Sequence, residues 1–492
     1  MNNKEYIVGI DIGSSNVVMA VGVRNETGEI TVLGVEVQEV EDCVKDGDII
    51  NYIELGNAIS KAKGALESEL GRRFNSAYVG ISGRSVYCVR YEDYVEISDK
   101  TGCVTENELR ELNARIEMVV PGGGDEIIER IPLRYVIDDH QEVKNPLGAF
   151  GRKLSATYLF VLAGKHQIDL INRALYRADI KVCGLCVNPT LLPELLLTPD
   201  EREEGVAIVD IGGDLTDISI VKEGKLWYFS SLPIGASSIN NDLHDFLKVS
   251  RKDIDSLKRK FGSAMADGVP DNTTVPVKTA GHAKKQILQR NIAEIAEERL
   301  KDIARFVMRE LKAAKFSTKV SCGVVLTGGS AYLSNIDQLF ARELQMEVRL
   351  GRMLNGLDDE SQQSVSAFPQ SVVMGLLLYG AKHNACETIP ERHGAETIDD
   401  MTNTVESVVE DIFTTAMQDV STRDNDVPEC IEPVNSEVDN VETSDRGEEQ
   451  FVEEVEEKTP QIEQPKPNKP KGANWIGRFR NWVDEMFTDD YI

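Results

Sequence analysis

Two segments about two hundred residues apart repeat one arrangement of chemistry-bearing residues: Ile7-Val-Gly-Ile-Asp11-Ile-Gly-Ser-Ser15 near the start and Val206-Ala-Ile-Val-Asp210-Ile-Gly-Gly213 near the middle. Each reads as a strand ending in Asp-Ile-Gly. Beyond each glycine the chain resumes a β-branched or alternating run, Val17-Val-Met-Ala-Val21 and Asp217-Ile-Ser-Ile-Val221. Both glycines therefore mark tight turns between antiparallel strands. Such turns expose backbone N–H groups that cradle phosphate, and a carboxylate at the base of each, Asp11 and Asp210, suits a hydrated Mg²⁺. Either copy alone could be a plain hairpin turn. Two copies in like context favour two phosphate loops that face one another around a nucleotide.

A third glycine pair ends Gly323-Val-Val-Leu-Thr-Gly-Gly329 and opens toward a helix expected over 333–344. A helix start behind two glycines is an anion or ribose contact, with a simple strand-turn-helix joint as its alternative. The elements around the first loop are expected as a strand over 30–38, a helix over 52–70 and a strand over 77–82, the β-β-β-α-β order of a ribonuclease-H-like domain. A small α/β insert follows over 84–164, with a helix over 105–116 and an apolar strand over 157–162. Next come a helix over 167–178, a strand over 182–187, and Asn188-Pro-Thr-Leu-Leu-Pro-Glu, which starts like a capped helix. After the second loop a helix is expected to about residue 247, then a polar section to 282. One long helix over 284–316 is expected because Ile292, Ile295, Ala296, Leu300, Ile303, Ala304, Val307 and Leu311 recur at three and four.

The 492 residues could hold two or three domains. A formal net charge of −29 argues against a nucleic-acid binder, which gains affinity by neutralising phosphates. From about residue 386 to 470 acids outnumber bases about four to one, with few aromatics, a composition that cannot bury a core. A disordered acidic linker is expected over 385–471. Neither a signal peptide nor an apolar stretch of membrane-spanning length is recognisable, so a cytosolic protein is expected. The eight cysteines are dispersed, and only Cys183 and Cys186 are close. With no second pair to complete a metal site, reduced and mostly buried thiols are expected. No GxxxxGK[ST] or HExxH motif occurs, so P-loop and zinc-hydrolase chemistry drop out.

The last twenty residues carry two of the three tryptophans. Trp475, Ile476, Phe479, Trp482, Val483, Met486 and Phe487 fall on a single helical stripe over 472–488, flanked by Lys469, Lys471, Arg478 and Arg480. An apolar stripe with basic neighbours suits an anionic membrane surface. Docking on the chain's own core or in a protein groove is the alternative. Within the linker, Met401, Val405, Val408, Ile412, Phe413 and Met417 also keep helical spacing.

In this order the pieces resemble the actin-like ATPase superfamily, whose members include sugar kinases and heat-shock chaperones. Asp11-Ile-Gly-Ser14 is similar to its first phosphate loop, Asp210-Ile-Gly-Gly213 to its second, and Leu326-Thr-Gly-Gly329 to its adenosine motif. Asn188-Pro-Thr-Leu and Pro369-Gln-Ser-Val-Val-Met-Gly375 are similar to the two connecting helices. Cys43-Val-Lys-Asp-Gly-Asp-Ile-Ile50, Ile131-Pro-Leu-Arg-Tyr-Val-Ile-Asp138 and Asn145-Pro-Leu-Gly148 further resemble the FtsA family of bacterial cell-division proteins. The resemblance covers about residues 5–384.

It implies an α/β actin-like fold of duplicated ribonuclease-H-like domains: 1A over 1–83 and 165–205, insert 1C over 84–164, 2A over 206–242 and 320–384, and 2B over 243–319. It implies ATP held by Asp11, Gly13, Ser14, Ser15, Asp210, Gly212, Gly213, Thr216, Gly328, Gly329 and Ser330, with Mg²⁺ on Asp11 and Asp210. It also implies head-to-tail self-assembly, peripheral attachment to the cytoplasmic side of the inner membrane at the division site, and docking of the tail of the tubulin-like protein FtsZ on 2B near Arg299. Other division proteins would meet 1C. Three residues depart from the family pattern. Asp214 stands where a phosphate-loop glycine is usual, which implies repulsion of phosphate. Asn16 stands where relatives often carry lysine, and Asn188 where many have glutamate. These imply at most slow hydrolysis, with nucleotide acting as an assembly switch and no catalytic residue assigned. A metabolite kinase and a pilus-assembly actin-like module are the alternatives within the superfamily.

Overall fold

The computed structural model describes residues 6–40, 42–278, 284–316, 320–365 and 370–383, all within one compact unit. The acidic linker and the terminal amphipathic stripe lie outside the described residues.

The first sheet starts from three antiparallel strands, β1 (Tyr6–Ile12), β2 (Asn16–Arg24) and β3 (Ile30–Glu39). A two-stranded hairpin, β4 (Val44–Lys45) and β5 (Asp48–Ile49), leads into α1 (Tyr52–Leu70). The side chain of Asn51 accepts the N–H groups of Ile53 and Glu54, and Gly71 at φ 62° ends the helix, so both ends carry the residue types that helix termini favour. Strand β6 (Ser76–Ile81) then pairs parallel with β1.

The chain now leaves this sheet to build a second one. Strands β7 (Val86–Glu96), β8 (Asp125–Ile137), β9 (Gln141–Val143) and β10 (Lys153–Gly164) assemble in the order β7-β10-β8-β9, with α2 (Glu106–Glu117) packed against them. Leu112 and Ile116 of α2 meet Val95, Leu154 and Phe160 in a core of their own. Returning to the first sheet, α3 (Lys165–Arg177) is followed by β11 (Lys181–Val187) on the far side of β6, giving the order β11-β6-β1-β2-β3. Helices α4 (Asn188–Leu196) and α5 (Pro199–Glu204) cross to the second half.

There β12 (Val206–Ile211), β13 (Thr216–Lys222) and β14 (Lys225–Leu232) repeat the opening meander. Helices α6 (Ala236–Leu247) and α7 (Arg251–Phe261), the hairpin β15 (Thr274–Lys278) and β16 (Lys284–Leu288), and α8 (Gln289–Ala313) form a layer beside it. Strand β17 (Val324–Thr327) pairs parallel with β12, and β18 (Val348–Leu350) follows α9 (Ile336–Leu344). The resulting order β14-β13-β12-β17-β18 is the first sheet's pattern again. Last come α10 (Asp359–Ser364) and α11 (Ser371–His383), which packs on β1, β2, β6 and α4.

The secondary structure differs from the sequence reading in four places. Residues 284–288 are a strand: Val275 and Ile287 face each other in the hairpin and are buried, so pairing overrides the helical run that resumes at Gln289. The polar section to 282 contains α7, which buries Ile254 and Leu257 on one side. The helix expected over 333–344 begins at Ile336, after a 3₁₀ turn over Gly329–Tyr332. Finally, α4 has no side-chain cap: Val187 occupies the capping position, and Asn188 turns inward instead. Of the six described cysteines, none in a disulfide, only Cys43 and Cys186 are buried and Cys183 is exposed, fewer buried than expected.

Candidate functional site

Both Asp-Ile-Gly turns have the same construction. Ile12 pairs with Val17 and Ile211 with Thr216, so each turn holds four residues. In each the glycine N–H donates to the carbonyl three residues on, Gly13 to Asn16 at 3.0 Å and Gly212 to Leu215 at 2.9 Å. The turns face one another closely. A Cβ at Gly213 would lie 2.5 Å from Ser15 Oγ and 3.6 Å from Ser14 Cβ, so glycine is what lets the second turn approach the first. The third glycine motif closes on the same place: Gly328, at φ +90°, would set a Cβ 2.3 Å from Asp210 Oδ1.

Beneath the turns lie three carboxylates. Asp11 and Asp210 are the last residues but one of β1 and β12, and Asp217 faces Asp210 across the β12–β13 ladder. Asp11 and Asp210 keep some surface at the cleft, yet enclosure by the protein acts on all three. Enclosure pushes Asp11 up to about 7, opposed by a hydrogen bond from Asn188 and reinforced by repulsion from Asp217. Asp210 is raised well above the usual carboxylate range by enclosure, then by the charges of Asp217 and Asp11. Asp217 is raised by enclosure and partly compensated by Ser231 and Ser82. Three negative charges so placed stabilise one another only through a cation or protons.

Buried acceptors at the site are consistent with such a cation or its water shell. Asp217 Oδ1, Asn188 Oδ1 and Ser330 Oγ are each buried with no hydrogen-bond partner. Burying polar atoms unpaired is costly, so their retention fits a bound metal-nucleotide.

The structure brings Asp11, Gly13, Ser14, Ser15, Asp210, Gly213 and Gly328 into one cleft, with Ser330 buried in the turn that follows Gly328. It does not add the side chain of Thr216, which is fully buried and donates to the carbonyl of Ile234 at 2.7 Å. Its hydroxyl braces the turn. Asp214, expected beside the phosphates, follows Gly213 in the second turn, and its Oδ2 accepts the Asp46 N–H at 3.3 Å. Arg299, on α8, is only 6% exposed and grips Asp242 of α6 at 2.7 and 3.0 Å. Asp217 and Ser82 were missed. Asp217 carried a usable signal, being the carboxylate directly opposite Asp210 in a four-residue hairpin, whereas Ser82 lies 135 residues from its partner.

Comparison with known proteins agrees with this architecture. Residues 207–368 match the family model described as "Cell division protein FtsA", and residues 83–162 match "SHS2 domain inserted in FTSA". The chain is 30% identical over 384 residues to the cell division protein FtsA of Pseudomonas aeruginosa, covering 76% of this chain and 89% of that protein. It is 28% identical over 351 residues to that of Bacillus subtilis, covering 71% and 79%. Among solved structures, a chain of the PilM-PilN type IV pilus biogenesis complex superposes with a TM-score of 0.53 at 14% identity, over 76% of this chain and 98% of that one. That similarity speaks for the fold alone, which is actin-like with an SHS2 insert. The paired glycine turns, the repeated sheet and the insert all agree with the sequence matches: the chain belongs to the FtsA family of cell-division proteins.

Proposed function

We propose that this FtsA-family protein binds MgATP between its two halves, assembles head to tail, and tethers the FtsZ ring to the inner face of the cytoplasmic membrane through its C-terminal amphipathic stripe. The observation that carries the nucleotide part is the meeting of two equivalent turns over Asp11, Asp210 and Asp217. Asp11 and Asp210 hold the metal side, the amides of Ser14, Ser15 and Gly213 meet the phosphates while those of Gly13 and Gly212 close the turns, and Gly328, Gly329 and Ser330 flank the nucleoside. When bound, Mg²⁺ neutralises the carboxylates and the phosphates together. Asn188, an amide where a general base would carry a carboxylate, orients but does not deprotonate water, so nucleotide serves assembly more than turnover.

The membrane part rests on the stripe from Trp475 to Phe487 and its basic flank. A single amphipathic helix binds a bilayer weakly, and linking copies in a filament multiplies avidity by about 10² to 10⁴. Assembly therefore controls membrane residence, and the long acidic segment supplies a reach of roughly 50 Å or more if it behaves as a flexible chain. Among the described residues no helix is long and apolar enough to cross a membrane. The FtsZ tail docks on the layer of α6, α7 and α8, where Arg299 and Asp242 tie two helices together, and other division proteins meet the inserted sheet.

Flotation with anionic liposomes tests the tether: removal of residues 475–492 abolishes co-flotation with MgATP present, and retained binding refutes the assignment. Electron microscopy on the same lipid, showing filaments only with lipid and an intact tail, supports the coupling. Substrate-dependent ATP turnover would favour a metabolite kinase instead.

A further inference from the structure

The hairpin β4–β5 turns through Asp46 and Gly47, both at positive φ (50° and 80°), the tight Asp-Gly turn that suits a two-residue hairpin. Its tip is wedged. A Cβ at Gly47 would lie 2.3 Å from Gly83 Cα, 2.6 Å from Ser82 O and 2.8 Å from Leu215 Cδ1. The Asp46 N–H reaches Asp214 Oδ2 in the second phosphate turn, while its carbonyl accepts the N–H of Arg84 at 3.4 Å. At the other end of the hairpin, the Ile49 N–H donates to Gln167 Oε1 at 2.8 Å. Arg84 leads into β7 and Gln167 lies in the first turn of α3, just after β10. One small hairpin thus touches the second phosphate turn and both places where the inserted sheet joins its parent.

We propose that Asp214 is a positioning residue: by holding the Asp46 amide it ties the second phosphate turn to the 44–49 hairpin, so that the occupant of the cleft is felt at both junctions of the insert. The proposal rests on the nucleotide reading above. A phosphate in the 212–215 turn repels the Asp214 carboxylate at short range and loosens its hold on Asp46, because like charges in a partly buried site are poorly screened. The hairpin is the discrete element through which this bias reaches Arg84 and Gln167.

Hydrogen exchange on the full chain tests it with Asp214→Ala and Asp214→Asn. Without nucleotide, Asp214→Ala exchanges several-fold faster over residues 44–50 than wild type, while Asp214→Asn, which keeps an oxygen acceptor, stays protected. Strand 206–211 serves as the folding control and remains protected in all three. With MgATP, wild type loses protection over 44–50 and 84–90, and Asp214→Asn, with no charge to repel, does not. Equal exchange of wild type and Asp214→Ala without nucleotide overturns the tie. Equal responses of wild type and Asp214→Asn to MgATP overturn the relay. If fluorescent MgATP analogues fail to bind any of the three, the nucleotide reading falls and the relay with it, while the comparison without nucleotide still decides the tie.

Discussion

The side-chain amide of Asn188 donates to Asp11 Oδ1 at 3.3 Å, joining residues 177 apart in the chain. This contact exists because Asn188 does not cap α4. A capping asparagine spends its side chain on the helix's own N–H groups. Here Val187 takes that position and the Asn188 side chain points to the carboxylate at the base of the first turn. Its Oδ1 is buried without a partner beside Gly80, where a Cβ would come within 2.7 Å. Asn188 thus fixes Asp11 with one end and presents an acceptor with the other.

Asn188→Ala removes the interaction that lowers the Asp11 pKa, leaving enclosure and Asp217 to raise it. At pH 7 more of Asp11 is then protonated, and a hydrogen bond to a charged group is lost, worth about 1.5–3 kcal/mol. MgATP affinity is expected to fall by about tenfold or more. Titration calorimetry at pH 7 measures this, and an unchanged affinity would show that Asn188 does not support the metal side.

The raised carboxylates give the nucleotide-free protein a definite pH dependence. Asp11 titrates at about 7 in the folded chain against a model-peptide value near 3.8, so folding favours its protonated form. The stability this contributes is fully present below pH 4 and is lost as pH rises from there through 7, by about 1.4 kcal/mol per unit per group in that window. Asp210 acts in the same direction. Protons and Mg²⁺ compete for these oxygens. Thermal melts should show Mg²⁺ raising Tm more at pH 7.5 than at pH 5.5. An equal rise at both values would remove these aspartates from the metal site.

Two glycines at the cleft should respond differently to alanine. At Gly328 the positive φ and the approach to Ile211 O, 2.5 Å from an added Cβ, leave no way to relieve strain, so Gly328→Ala should cost about 1–3 kcal/mol of stability. At Gly213 the obstacle is the end of the exposed Ser15 side chain, which can rotate away. Gly213→Ala should melt near the wild-type temperature, yet bind MgATP several-fold more weakly because the gap between the turns is narrowed. Ser15→Ala in the same chain should recover part of the loss.

The parts of this site legible in sequence were those carried by local chemistry. Asp-Ile-Gly between β-branched runs can do little but turn, and the apolar residues from Ile292 to Leu311 at spacings of three and four form the buried face of α8. What stayed hidden depended on distant partners. Ser82 finds Asp217, and Asp46 finds Asp214 across 168 residues, and no spacing rule reports either. Lys284-Lys-Gln-Ile-Leu288 has the composition of a helix start, and only pairing with Thr274–Lys278 makes it a strand. The departure at Asp214 was visible, but its partner was not: the carboxylate also accepts a backbone amide of the other half, that of Asp46.

Arg299 shows how burial changes the meaning of a charge. On sequence it is a basic residue of a long helix, available to an acidic peptide. In the structure its Nε and Nη2 grip both oxygens of Asp242, at 2.7 and 3.0 Å, and Asp302 stands 4.0 Å away. Breaking such a buried pair leaves an uncompensated charge and costs about 3–5 kcal/mol. Arg299→Glu should therefore lower Tm as well as weaken binding of an FtsZ tail peptide, and the two effects need separating. Exchanging the pair, Arg299→Asp with Asp242→Arg, keeps opposite charges between α6 and α8. If peptide binding needs only a well-packed face, the exchanged protein recovers both Tm and affinity. If the peptide contacts the guanidinium itself, Tm recovers while affinity, measured by fluorescence anisotropy, stays low. Unchanged affinity in Arg299→Glu would remove this face from the FtsZ site altogether.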